Sequence, residues 1–305
     1  MAAPLSRLAA WLRRHRLELA LASPLFLYVL ILTIAPILDT IALSFTAPFN
    51  GRFPSLANYQ ALLASEVFRA AVVNTIVVAL LSITLQLGLG LAVALTLNAH
   101  FRFRAFVRTV MLLPLGVPTI VAGAVMLLIF SRSGYLNAML FALADALHAL
   151  LGIRWHFVPL SWSVAGGWRT LATVAIADMW KVLPMVVLIL LAGLQAIPGE
   201  VNEAADVDGA NRWQRFAWIT LPLLLPYITT AVILRAIDAF RIFELALVLA
   251  GRVEPVLGTY IWSRYAPPTS DPFTAAAGSM VLFVVILAFV GLYLRAAAVG
   301  TGEGR

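Results

Sequence analysis

Residues 70–98 read AAVVNTIVVALLSITLQLGLGLAVALTLN, a run without one charged side chain. A helix needs about 20 mainly apolar residues to cross the hydrocarbon core of a bilayer, whereas membrane-spanning strands are ~10 residues long and alternate in polarity. In hydrocarbon every backbone N–H and C=O needs an internal partner, so this run reads as a transmembrane α-helix. Working outward, 19–45, 106–131, 170–196, 223–249 and 273–296 meet the same criterion. Pro24, Pro36, Pro114, Pro118, Pro184 and Pro226 lie in or beside these spans and read as kink sites, because neighbours can satisfy the carbonyls they free. The expected fold is therefore an all-α integral membrane protein with six transmembrane helices. Its expected organisation is a tail (1–18), a first helix (19–45), a five-helix core (70–296) containing a polar loop at 197–222, and a tail (297–305). A short amphipathic helix is expected around Tyr135–Leu151.

Composition agrees. Of 305 residues 62% are hydrophobic and 11% charged, with a mean hydropathy of +0.97, against roughly 25% charged residues in a soluble domain. The absence of cysteine excludes disulfides, thiolate metal sites and thiol nucleophiles. The net charge of +7 is carried by arginine, Lys181 being the one lysine. In so apolar a chain this basic excess points to membrane topology and not to nucleic acid. The basic N-terminal segment precedes an apolar run from Leu19 to Phe45, longer than the ~7–15 residues of a signal-peptide core, so it reads as a retained span.

Arginine placement sets the expected orientation. With the N-terminus inside, Arg7, Arg13, Arg14, Arg16, Arg102, Arg104, Arg108, Arg212, Arg215, Arg295 and Arg305 are cytoplasmic. Arg52, Arg69, Arg132, Arg154, Arg169, Arg252 and Arg264 are then outside. Both termini are expected in the cytoplasm, and Arg102, Arg104 and Arg108 read as topology signals in preference to a regulatory or lipid site.

The loop between the fourth and fifth spans is the one strongly polar stretch in the middle of the chain: IPGEVNEAADVDGANRWQRFAWITLP, residues 197–222. Pro198 can end the preceding span, Glu200, Glu203 and Asp206 suit the start of a helix, and Gly209 suits its stop. The reading is a short helix laid along the membrane surface. Ala204 and Ala205 are small enough for another surface to approach, and Glu203 and Asp208 offer acceptors to it.

The same residues carry a resemblance. Glu203-Ala204-Ala205, three residues, Gly209, nine residues, Ile219, one residue, Leu221-Pro222 resembles the cytoplasmic signature loop of ABC importer permeases, in its carbohydrate-type form EAA-x-x-DGA-x-x-x-x-x-F-x-x-I-x-LP. Asn58-Tyr59, Asn74-Thr75, Trp180-Lys181 with Pro184, Leu191–Gln195 with Ile197-Pro198, and Arg235–Glu244 extend the likeness to the sugar-importing subgroup that serves maltose, trehalose, lactose and glycerol phosphate. Two departures are Glu244, where relatives often carry Asp, and Ala250–Pro255, where they have a Gly-Gly-Pro-like turn.

The resemblance implies a type I importer permease on a prokaryotic inner membrane. It implies a second homologous permease subunit, a homodimeric cytoplasmic ATPase, an extracytoplasmic solute-binding protein, surrounding lipid and a sugar substrate. Lys181, between Trp180 and Val182, cannot serve a Gly-Lys-Ser/Thr phosphate loop. ATP and Mg therefore belong to the partner ATPase, and this chain is expected to bind no cofactor or metal. By resemblance, Glu203, Ala204, Ala205, Asp208, Gly209, Ile219, Leu221 and Pro222 couple it to that ATPase.

Ionisable groups inside spans are costly unless paired or facing water. Arg235, Asp238, Arg241 and Glu244 follow at i, i+3 steps in the fifth span, and Asp178 and Lys181 in the fourth. Either they line a substrate path, with Trp180, Phe240 and Phe243 offering faces to a sugar, or they pair with one another and hold helices together. His148 and His156 read as solvated loop residues. Gly88, Gly90, Gly116 and Gly123 read as close-packing positions, and Gly166-Gly167 as a turn. Competing functions are transport of another solute, such as a phosphorylated polyol, or intramembrane catalysis. The latter lacks paired histidines in a span and any matched serine and histidine.

Overall fold

The computed structural model describes residues 14–48, 50–152, 158–163, 166–251 and 253–300. Arg7, Arg13, Arg154, His156, Arg252 and Arg305 lie outside them. Among the described residues there are helices and no strands. Six helical stretches are long and apolar enough to cross a membrane: 16–44, 66–98, 119–151, 168–196, 212–240 and 272–297.

The first rod comprises α1 (Arg16–Val29), a π-helical turn (Leu30–Ile34) and α2 (Ala35–Ser44). α3 (Ala57–Ala64) is tied to its end: Asn58 Nδ2 donates to the carbonyls of Ser44 (3.0 Å) and Thr46 (2.9 Å), and Tyr59 OH to Ser44 Oγ (2.9 Å). That is the local work of the Asn58-Tyr59 pair. α4 (Glu66–Asn98) follows, 33 residues long.

The third span is not the single helix expected over 106–131. It consists of α5 (Arg104–Gly116) and α6 (Thr119–Phe130), parted at Val117 and Pro118, whose ψ angles are 126° and 140°. Pro118 has no N–H to donate and its ring keeps Val117 out of the helical region, so the helix stops and restarts. Contacts with α8 (Trp168–Ala196) show that the pair crosses together. Arg104 and Arg108 reach Gln195 at the end of α8, the Val117 carbonyl meets Lys181 at its middle, and the Phe130 carbonyl accepts from Trp162, which Thr173 holds near its start. α7 (Tyr135–Leu151) extends the apolar stretch beyond a turn, anchored by Asn137 Nδ2 on the Leu160 carbonyl (2.8 Å).

The polar loop forms α9 (Gly199–Val207) and α10 (Arg212–Arg215), and a second π-helical turn (Phe216–Thr220) leads into α11 (Leu221–Phe240). The fifth rod therefore begins near 212 and not at 223. It also breaks earlier than expected, at 241–243, before α12 (Glu244–Leu249) and α13 (Leu257–Tyr265). Both π turns end just ahead of a proline, Pro36 and Pro222, at the start of the next segment. A wider turn accommodates a residue that cannot donate to the preceding helix without ending it. α14 (Pro272–Gly300) closes the fold.

α4 and α8 form the most extensive helix pair, with α11 against both and α14 joining α2, α11 and α13. Small residues permit the closest approaches. A Cβ on Gly90 would meet Val186 at 2.9 Å, on Gly123 Val248 at 3.1 Å, and on Gly193 the Tyr227 ring at 2.5 Å. Gly88 and Gly116 have open space instead, so the close-packing expectation fails for those two. At the end where α4 and α8 begin, Glu254 ties the two helix starts together. Its carboxylate accepts from the Gly167 N–H (2.5 Å) and Asn74 Nδ2 (3.1 Å), while the Leu257 N–H donates to Thr75 Oγ1 (2.7 Å). Gly166 and Gly167, at φ of 79° and 70°, make the turn that presents this N–H.

Candidate functional site

About a third of the way along α8, Asp178 is buried and needs a partner. Its partner is not Lys181, three residues on, but Arg235 of α11: Arg235 NH2 donates to Asp178 Oδ2 at 2.9 Å. Arg235 is 1% exposed. Its Nε donates to Gln86 Oε1 (2.6 Å), and a weaker pairing at 3.4 Å reaches the more exposed Asp238. Gln86 Nε2 returns a bond to Asp178 Oδ2 (3.1 Å) and another to Ser82 Oγ (3.0 Å), and Ser82 Oγ donates to Asp178 Oδ2. One network thus joins α4, α8 and α11.

Lys181 projects elsewhere. Its Nζ donates to the Val117 carbonyl at 2.8 Å, supplying a donor where the α5–α6 break has left the backbone without a helical partner.

Beside the network lies a cavity of about 330 Å³, lined by Thr119, Asp178, Lys181, Val182, Arg235, Asp238, Arg241, Ile242, Phe243, Glu244 and Leu245. The break at 241–243 brings residues from two helices to its rim. Arg241 through Glu244 therefore do not continue a ladder along one helix, as their spacing suggested. Its formal charges balance: Lys181, Arg235 and Arg241 against Asp178, Asp238 and Glu244. Such a surface suits an uncharged solute rich in hydrogen-bonding groups. Of the three aromatics expected to face it, Phe243 does. Trp180 packs into the core around Val174 and Ala177, and Phe240 is buried against Phe289 with ring centres 5.1 Å apart. Helix packing accounts for Phe240, and Trp180, partly buried, lies outside the lining of this cavity.

Ser82, Gln86 and Thr119 are the residues the sequence reading missed. Ser82 and Gln86 are spaced i, i+4 within a span that has no charged residue between 70 and 98, and that polar spacing on one helical side was the available signal.

The 197–222 loop lies at the surface where α8 ends. Pro198 caps α9. At its other end the Ala210 N–H donates to Ala205 O (3.0 Å) and the Gly209 N–H to Asp206 O (3.2 Å), with Gly209 at φ 71°. This is a Schellman stop, and it requires a left-handed residue at Gly209. Asn211 and Gln214 then form a reciprocal capping box that starts α10, and Arg215 pairs with Asp206 across the turn. Glu203, Ala204 and Asp208 are exposed, whereas Ala205, 3% exposed, faces inward and not toward an approaching surface. Ile219, in the π turn, and Leu221 are half-buried, and Pro222 is exposed. Val207, Trp213 and Trp218 stand out at 88%, 75% and 80% exposed, an apolar surface beside the acidic one.

Residues 85–298 match the family described as binding-protein-dependent transport system inner membrane component. The chain is 34% identical to the trehalose/maltose transport system permease protein of Thermococcus litoralis, over 93% of this chain and 94% of that one. To the arabinooligosaccharides transport system permease protein of Bacillus subtilis it is 31% identical, over 92% and 88%. In fold it matches a chain of a bacterial ABC transporter involved in the import of the acidic polysaccharide alginate, with a TM-score of 0.79 and 23% identity, covering 95% of this chain and 98% of the other. This chain therefore belongs to the binding-protein-dependent transport system inner membrane components, as a multi-pass permease of the ABC transporter class.

Proposed function

We propose that this chain is one of two homologous permease subunits of an ATP-driven importer for a neutral sugar or oligosaccharide. Its N-terminus, its C-terminus and the α9–α10 loop face the cytoplasm. A homodimeric ATPase, which holds ATP and Mg, docks on that loop, and an extracytoplasmic solute-binding protein delivers the sugar to the opposite surface. Support for the sugar comes from the named relatives, which serve trehalose, maltose and arabinooligosaccharides. The charge-balanced cavity at Asp178, Lys181, Arg235, Asp238, Arg241, Phe243 and Glu244 agrees with an uncharged solute.

The observation that carries the coupling assignment is the α9 stop. A nine-residue helix ended by a Schellman turn at Gly209 stands at the membrane surface with Glu203, Ala204 and Asp208 outward, flanked by Val207, Trp213 and Trp218. Closure of the ATPase dimer on ATP pushes this helix, and the permease rocks between inward-open and outward-open forms as a set of rigid helices.

The test is reconstitution with the second permease, the ATPase and the binding protein, measuring sugar-stimulated ATP hydrolysis for wild type, Glu203→Lys and Gly209→Asp. Both variants should lose stimulation while the membrane subunits still co-purify. Stimulation indifferent to both changes would remove α9 as the docking element.

A further inference from the structure

We infer that Arg102, Arg104 and Arg108 form a binding site for the phosphate group of an anionic phospholipid. Arg104 and Arg108 lie one turn apart on α5, on the side facing the end of α8. With the Gln195 amide turned so that its oxygen meets them, Arg108 NH2 donates to that oxygen at 2.8 Å and Arg104 NH2 at 3.0 Å. Two guanidinium groups thus converge on one neutral acceptor. Among the described residues, none of the ion pairs includes Arg102, Arg104 or Arg108. The Nε atoms of Arg104 and Arg108 are buried without a hydrogen-bond partner. Like charges held this close in a partly desolvated position call for an anion, and neither α5 nor the end of α8 supplies one. Arg102 and His100 stand exposed beside them.

The surroundings name the anion's carrier. Phe103 at the N-cap of α5 and Phe106, Val107 and Val110 on the helix are exposed, so the cations sit beside an exposed apolar surface at the end of the spans. A phosphate there arrives attached to acyl chains, and basic pockets between helices at this level take anionic headgroups. Gln195 lies four residues before α9, so an occupied site braces the same membrane surface that carries the loop. The geometry places both at one surface whichever way the protein is inserted, and the inference does not depend on sugar transport.

The full chain, held in zwitterionic detergent, would be titrated with phosphatidylglycerol or phosphatidylcholine and the retained lipid counted by native mass spectrometry. Each arginine near an anionic headgroup contributes about fivefold in binding. Wild type should therefore favour phosphatidylglycerol, and Arg104→Gln with Arg108→Gln should lower its retention about 25-fold, leaving only the roughly fivefold preference due to Arg102. Arg102→Gln, at an exposed position outside the helix packing, should lower retention about fivefold with an unchanged melting midpoint, which keeps the test independent of folding defects. Equal retention of the two lipids by wild type, or phosphatidylglycerol retention unaffected by both variants, overturns the site. Displacement of the lipid by millimolar inorganic phosphate, with phosphate alone raising the melting midpoint of wild type but not of the double variant, would reassign it to free phosphate and overturn the lipid.

Discussion

Replacing Arg235 by methionine removes a fully buried cation from a network spanning three helices while keeping most of the side-chain volume. Two charge-assisted hydrogen bonds are lost, to Gln86 at 2.6 Å and to Asp178 at 2.9 Å, and the weaker one to Asp238 at 3.4 Å. Asp178 remains buried, held only by Ser82 and Gln86. Removing one member of a buried ion pair costs about 3–5 kcal/mol, most of it from the charge left behind. For a chain of this size the melting midpoint should fall by roughly 5–10 °C. The distinguishing step is the double variant. Adding Asp178→Asn to Arg235→Met discharges the stranded carboxylate and should recover part of the loss, so the two changes are less than additive. The assay is thermal unfolding of the purified chain in detergent, followed by intrinsic tryptophan fluorescence. A single variant that melts within about 1 °C of wild type, or a double variant whose losses simply add, would refute the network as a structural joint.

Lys181→Met leaves the Val117 carbonyl without its donor, at a cost of about 1–3 kcal/mol, and should raise hydrogen exchange at 116–121. Gly209→Ala forces a Cβ into φ 71°, costing about 1–2 kcal/mol locally. Proteolytic cleavage within 207–212 should rise while the global melting midpoint barely moves. Gly193→Ala drives a Cβ to 2.5 Å from the Tyr227 ring and should destabilise by about 1–3 kcal/mol. Gly88→Ala, with open space around it, should be neutral or stabilise by up to about 1 kcal/mol, and paired melts would read the difference. Glu254→Ala removes the acceptor shared by the Gly167 N–H and Asn74 and should cost about 1–3 kcal/mol, seen as a lower midpoint and faster exchange near 166–170.

The number of crossings was legible because apolar length is a property of composition summed over ~20 residues, and no tertiary contact can override it. The start of the fifth rod was not. Apolar length put its beginning at 223, after the polar 197–222 loop, but a π turn lets the helix run through from Arg212. At Pro118 a kink was expected, and the full break was not, because both halves are equally apolar. The polar groups show a second limit. Residues three apart on one helix suggested Asp178 with Lys181, yet Asp178 pairs across to Arg235 and Lys181 to a backbone carbonyl. Sequence spacing reports neighbours on one helix, and a buried charge takes its partner from whichever helix packs against it. The α9 stop was readable because Gly209 acts within its own turn.

These partnerships restrict how movement at the loop can reach the cavity. From Arg212 to Phe240 the fifth rod is helical throughout, about 43 Å at 1.5 Å per residue, and Arg235 and Asp238 stand near its far end. If α11 slid by one turn past α4 and α8, Arg235 would leave Gln86 and Asp178 and strand two opposite charges in a buried setting, at the cost worked out above for removing one of them. The Gly193 contact with Tyr227 adds a steric stop to the same slide. On the proposed coupling, a push on the 197–222 loop would be transmitted by α4, α8 and α11 moving together. Along the fifth rod, any independent adjustment falls at the two places where the helical ladder is already altered. One is the π turn at 216–220, between loop and bundle, and the other is the break at 241–243, at the rim of the cavity. Rigid-body rocking, hinged at these two points, is the motion this packing permits.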